Sequence, residues 1–188
     1  MPVPSTAPLA WLLQRLARLI AAATDALETQ HPNGVGDWQQ EVSRQLARYH
    51  GASYLAGADV DTLTSEARVQ VLSDLATQLR FLDKFGIEIQ DGKTWQKGWN
   101  ARAQMYARSI ATPYWRGATK LLPLPAMPGD GTSQCLTNCK CSWDIEQLDG
   151  EGNYDCTWHV SVDESCATCI QRGRDWAPLE IRDGVLQV

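Results

Sequence analysis

Apolar residues recur at three- and four-residue steps through most of the first 116 positions, the signature of helices that bury one face. The first such stretch, about Pro8 to Glu28, places Leu9, Leu12, Leu13, Leu16, Leu19, Ile20, Ala23 and Leu27 on one side. Ser5 or Thr6 can cap its start, and His31-Pro32-Asn33-Gly34 supplies the residues that end a helix. A second helix is expected from Asp37, with Gln40 three residues on as in a capping box, and Trp38, Val42, Leu46 and Tyr49 as its stripe. Gly51 and Gly57 are expected to weaken its end. A third helix is expected from about Thr64 to Lys84, with Val71, Leu72, Leu75, Leu79, Leu82 and Phe85 inward and Gly86 just past its end. Ile87-Glu88-Ile89 is too short to assign. A fourth helix is expected from about Trp95 to Tyr114, with Trp99, Ala103, Tyr106 and Ile110 on one face, Arg102 and Arg108 on the surface, and Pro113 near its end.

The pattern then changes. Leu122 to Gly131 holds three prolines and two glycines, which excludes a regular helix or a central strand and marks an arm or linker. Beyond it the period drops to two. Trp143 to Leu148 reads as a strand, Asp149-Gly150-Glu151-Gly152-Asn153 as a turn, and Tyr154 to Val160 as a second strand with Tyr154, Cys156, Trp158 and Val160 on one side. The chain therefore divides into a helical domain (1–116), a Pro/Gly-rich arm (117–134) and a cysteine-rich module (135–188). The fold class is mainly α at the N-terminal side, followed by a small zinc-stabilised β-hairpin module.

The cysteines give the hairpin its chemistry. All six lie between Cys135 and Cys169, flanking the hairpin as Cys135-Leu136-Thr137-Asn138-Cys139-Lys140-Cys141 and Cys166-Ala167-Thr168-Cys169. The outer ends of an antiparallel hairpin lie side by side, so the two groups meet in space. A structural zinc site takes four tetrahedral ligands, commonly thiolates at about 2.3 Å, and a Cys-x-x-Cys turn presents two of them. Cys139, Cys141, Cys166 and Cys169 are the expected ligands, with Cys135 as the alternate; such an ion would brace a segment too small to bury much core of its own. A disulfide framework, with fifteen possible pairings, is the competing reading. The apolar stretch Leu9 to Ala23 is interrupted by Gln14, Arg15 and Arg18, so it does not read as a secretory signal, which points to a reducing cytoplasm and away from disulfides. A redox Cys-x-x-Cys would need a helix start in a βαβ setting, which the pattern lacks. Cys156 falls mid-strand between aromatics and reads as a buried, inert thiol. His159, opposite Trp158 on its strand, reads as a surface or packing residue before a ligand; His31 and His50 read as incidental.

Charge narrows the partners. Net charge is −5, and from Gly117 onward five basic residues face eleven acidic ones, which makes the C-terminal module a poor phosphate-backbone binder. No apolar run reaches the roughly 18–20 residues that cross a bilayer. The deaminase signature, His-Glu-x-x-His, Gly-x-Ser-x-Gly, a phosphate-binding loop and a dinucleotide fingerprint are all missing from the sequence, so no enzyme is expected. Eight tryptophans spread over the chain suit core and interface anchoring.

Leu124-Pro125-Ala126-Met127-Pro128 followed by Asn138-Cys139-Lys140-Cys141 resembles the proline-rich approach and Asn-Cys-Arg-Cys element of the Mu-type head-morphogenesis (minor head or minor capsid) proteins of tailed phages. Trp158, Asp163, Cys166-x-x-Cys169 and Pro178-Leu179 resemble that family's second element, and Arg102 to Arg116 its arginine-bearing helix. The order of the two cysteine elements is reversed here, and Leu136-Thr137 replaces the family's His-Pro. The resemblance, over about Trp95 to Leu179, implies a non-enzymatic structural protein of the virion, assembled in the host cytoplasm, with portal, capsid or neck proteins as partners. A cellular zinc-ribbon adaptor for another protein is the alternative.

Overall fold

The computed structural model describes residues 6–30, 33–94, 98–136, 139–162 and 165–187. The fold is mainly helical, with a small antiparallel sheet at the C-terminal side. Helix α1 spans Ala7–Gln30 and buries Leu9, Leu12, Leu16, Ile20 and Leu27. Its expected stripe was one position too wide, since Leu19 is exposed and Thr24 completes the buried face. Thr24 donates to the Ile20 carbonyl and accepts from Trp38 Nε1 at 3.1 Å, which satisfies a buried hydroxyl and an indole together. The expected cap at Ser5 and the breakers His31 and Pro32 lie outside the described residues.

Helix α2 (Val35–Ala58) buries Trp38, Val42, Leu46 and Tyr49 as the periodicity predicted. It starts two residues before the expected Asp37, after Gly34 and without a side-chain cap, so Asp37 lies in the first turn, where its charge suits the helix dipole. It also runs through Gly51 and Gly57. The reason at Gly57 is tertiary. A Cβ there would stand 2.1 Å from the carbonyl oxygen of Tyr114, and one at Gly117 would stand 2.4 Å from that of Tyr54. The two helices cross backbone to backbone at these glycines.

Helix α3 (Ser65–Gln90) is capped by Thr64, whose hydroxyl accepts from Ala67 N. It does not stop at Gly86. The helix continues through Ile87-Glu88-Ile89 to Gln90, because Ile89 is fully buried and Gly86 makes room for the Gln39 side chain of α2. Leu72, expected inward, is exposed. The expected fourth helix is two. Helix α4 (Trp99–Arg108) and helix α5 (Ala111–Ala118) are separated at Ser109-Ile110. Pro113 is the third residue of α5, a first-turn position whose N–H has no intrahelical partner anyway, so proline marks a start rather than an end. Trp99, Ala103, Tyr106 and Ile110 are all buried, as expected of that face. Arg102 lies over the Phe85 ring at 4.2 Å and pairs with Glu88, and Arg116 of α5 pairs with Asp74 of α3 at 2.9 Å. Burial outweighs the attraction of Arg116 and leaves the Asp74 carboxyl above its usual range.

The Pro/Gly-rich arm has no regular element but is packed. Leu122 and Ala126 are buried, Thr112 of α5 donates to the Pro128 carbonyl, and Trp143 Nε1 donates to the Ala126 carbonyl. Strands β1 (Ser142–Gln147) and β2 (Tyr154–His159) form the expected hairpin, with Ser142 opposite His159 and Gln147 opposite Tyr154. Tyr154, Cys156 and Trp158 share its buried face. Three further elements were not foreseen: helix α6 (Ala167–Asp175) and strands β3 (Leu179–Arg182) and β4 (Val185–Leu186), which extend the sheet in the order β1-β2-β3-β4, all antiparallel. Asp183 and Gly184 both take positive φ, the backbone of a two-residue hairpin turn, and Asp-Gly is its usual sequence. One contiguous apolar core runs from α1 through α5 and the arm to the sheet.

Candidate metal centre

The hairpin register places Cys141, the residue before β1, beside the chain leaving β2, so that the Ser161 N–H faces the Cys141 sulfur. The chain then turns into α6. Cys166 is the residue that opens this helix and Cys169 lies in its first turn, so one turn of helix aims both sulfurs the same way. On the other side, the end of the arm brings in Cys135 and Cys139. Asp130 shapes that approach by accepting from the backbone N–H groups of Met127 and Thr132, and Arg172 of α6 donates to Thr132 Oγ1 at 2.8 Å. The arm and α6 are thereby tied together across the cluster.

All six cysteines are unpaired. Cys135 Sγ lies 3.7 Å from Cys169 Sγ and 3.7 Å from Cys166 Sγ, and Cys139 Sγ lies 3.6 Å from Cys169 Sγ. A disulfide would hold sulfurs at about 2.05 Å. A tetrahedral metal site with bonds of about 2.3 Å has sulfur–sulfur edges of about 3.8 Å. The observed separations match the second figure. Among the described residues, Cys135, Cys139 and Cys169 lie within 4.8 Å of one another and can hold a metal ion. Cys135, expected only as the alternate, is thus one of the three most closely grouped. Cys166 adjoins it, and Cys141 interacts with Cys139 and Cys169.

Electrostatics at the cluster are uneven. Hydrogen bonding from Cys139 lowers Cys141 to about 5, with help from the Ser161 N–H and the Trp158 indole. The buried Trp158 Nε1 makes no hydrogen bond of ordinary geometry, so its effect on this sulfur is that of a nearby N–H. Cys139 is pushed far above the usual thiol range by its role as donor to Cys141 and by burial. Burial and the neighbouring Cys166 thiol likewise raise Cys169. At Cys166 burial acts upward but is outweighed by the backbone N–H groups of Cys169 and Cys135 and by their thiols, leaving it at about 7. Thiols crowded this way cannot all ionise alone; a bound cation would supply the charge that lets them.

Two other candidates sit apart. Cys156 is fully buried in β2, and desolvation raises it to about 11. His159 is 58% exposed and pairs with Asp144 at 3.5 Å, on the sheet face away from Trp158. His50 is not incidental. It is completely buried, and its Nε2 meets Ser109 Oγ at 2.9 Å between α2 and the α4–α5 turn. The helix start at Cys166 meets half of the redox condition, but the sheet is entirely antiparallel and no βαβ unit is present among the described residues. Three indoles, Trp143, Trp158 and Trp176, lie within 5.7 Å of one another beside the cluster, with the Arg172 guanidinium over two of them.

Sequence reasoning missed α6 and the grouping of Cys135. The available signals were Arg172 and Arg174 before Pro178, which suit a helix end, and the Cys-x-x-x-Cys spacing of Cys135 and Cys139. No protein family, curated protein or solved structure matches this chain. No helix among the described residues is long and apolar enough to cross a membrane.

Proposed function

We propose that this chain is a non-enzymatic structural protein whose C-terminal sheet, α6 and arm are locked together by one zinc ion. The ligands are drawn from Cys135, Cys139, Cys141, Cys166 and Cys169. The observation that carries the reading is the set of sulfur–sulfur separations of 3.6–3.7 Å, the edge length of a zinc–thiolate tetrahedron. Thiolate-only ligation closes the coordination sphere and suits a brace rather than a water-activating centre. The place of work follows from the sequence resemblance: a minor head or head-morphogenesis component of a tailed phage, beside portal, capsid or neck proteins. A densely packed helical body carrying a cross-braced module is suited to holding one shape within an assembly.

The test is metal content by mass spectrometry on protein purified without chelator, with thiols counted before and after metal removal. One zinc per chain, with four thiols protected until chelation, is expected. A metal-free protein with all thiols reactive overturns the centre. Proteomics of purified virions checks the setting, and absence from them overturns it.

A further inference from the structure

The five clustered sulfurs are not equally sheltered. Cys139, Cys141 and Cys169 are buried, whereas Cys135 and Cys166 are only half-buried. Those two are also neighbours, 3.7 Å apart. They come from different parts of the chain, Cys135 from a turn at the end of the arm and Cys166 from the residue that opens α6. Joining them requires a closure of about 1.7 Å to reach disulfide distance. Neither cysteine lies within a helix or strand, so a local backbone adjustment can supply it. Five thiols also exceed by one the four that a tetrahedral ion uses.

We propose that Cys135 and Cys166 form an oxidation site, at which a peroxide converts the outer sulfurs of the centre into a disulfide and loosens the metal. This rests on the zinc reading above for the metal's release but not for the sulfur pairing. One thiolate attacks a peroxide oxygen; the O–O bond breaks, hydroxide leaves and takes up a proton as water. The sulfenic acid so formed is attacked by the second thiolate. The S–S bond forms, the S–O bond breaks, and the second hydroxide leaves as water. Two thiolates are oxidised, one peroxide is reduced, each departing hydroxide takes its proton from solvent, and no further reactant is needed. The sulfurs left behind, Cys139, Cys141 and Cys169, are too few to complete a tetrahedron, so the ion becomes open to competing ligands.

The protein as purified is treated with one equivalent of hydrogen peroxide, then alkylated, digested and mapped by mass spectrometry, while a colorimetric chelator follows free zinc. The expected first product is a cross-linked peptide joining Cys135 to Cys166, with the other four cysteines alkylated and zinc passing to the chelator. Cys156→Ser gives the same cross-link; Cys135→Ser and Cys166→Ser lose it. A different first pairing, or sulfinic acid without any cross-link, overturns the proposal, and needs no variant to be seen. The cross-link with zinc still withheld from the chelator overturns the coupling to the metal. A protein that carries no zinc but still forms the Cys135–Cys166 link overturns the zinc reading and leaves the oxidation site standing.

Discussion

His50 shows how one buried residue sets a pH dependence. Ser109 Oγ donates to the Tyr106 carbonyl, so it accepts from His50 Nε2–H, and the bare Nδ1 is buried without a partner. Protonation would place a charged N–H there with nothing to receive it, and desolvation lowers the histidine to about 4. The unfolded chain binds this proton near pH 6.5 and the folded one does not, so stability falls as pH drops from about 6.5 to about 4. The total is about 3 kcal/mol at roughly 1.4 kcal/mol per unit. Urea denaturation of the protein and of His50→Leu across this range is expected to differ by a one-proton slope; parallel curves would refute it. Cys156 makes the contrasting case, a thiol held neutral by burial and outside the group of cysteines that can hold a metal. Cys156→Ser is expected to lower stability by about 1–3 kcal/mol, from a hydroxyl placed in an apolar core, while the metal content of the purified protein stays unchanged.

At the scale of elements, the crossing of α2 with α5 is decided by two missing side chains. Gly57 and Gly117 each face the other helix's backbone, which cannot retreat as a flexible side chain would. Gly57→Ala is expected to destabilise by about 3 kcal/mol or more, since overpacking here displaces a whole helix. Gly51, in the same helix, has nothing within 4 Å of its absent Cβ. Gly51→Ala is expected to stabilise by about 0.5–1 kcal/mol through helix propensity alone. Opposite shifts in melting temperature for two identical substitutions would establish that the contact, and not glycine's entropy, matters at position 57. The periodic stripes of Trp38-Val42-Leu46-Tyr49 and Trp99-Ala103-Tyr106-Ile110 were legible because burial of one helix face leaves a mark every three to four residues. The role of Gly86 was not, since a helix terminator and a close-approach glycine are the same letter.

Across the whole molecule, helical body, arm and sheet share one core, while the cysteine cluster that can hold a metal ion sits where arm, hairpin and α6 converge. Removal of the proposed metal is therefore expected to act regionally. Chelation should expose the Trp143-Trp158-Trp176 group, seen as a red shift and quenching of tryptophan emission. Far-UV circular dichroism from α1 to α3 should be largely kept, because their buried faces are mainly apolar and carry no cysteine. Complete loss of helical signal on chelation would show instead that the centre holds up the entire fold. Trp11, 55% exposed on α1, lies apart from this group and will contribute a constant background.

By itself the sequence determined the class of each long segment, the hairpin, and the convergence of two cysteine groups, because these follow from periodicities and from antiparallel pairing between near neighbours. Tertiary structure decided what depends on distant contacts: that Pro113 begins a helix, that Gly57 and Gly86 lie within helices, and that His50 is buried. It also decided that Cys135 is grouped with Cys139 and Cys169. Spacing along a chain states which sulfurs are able to meet, but the path of the arm over α5 and the start of α6 set which of them stand a tetrahedral edge apart.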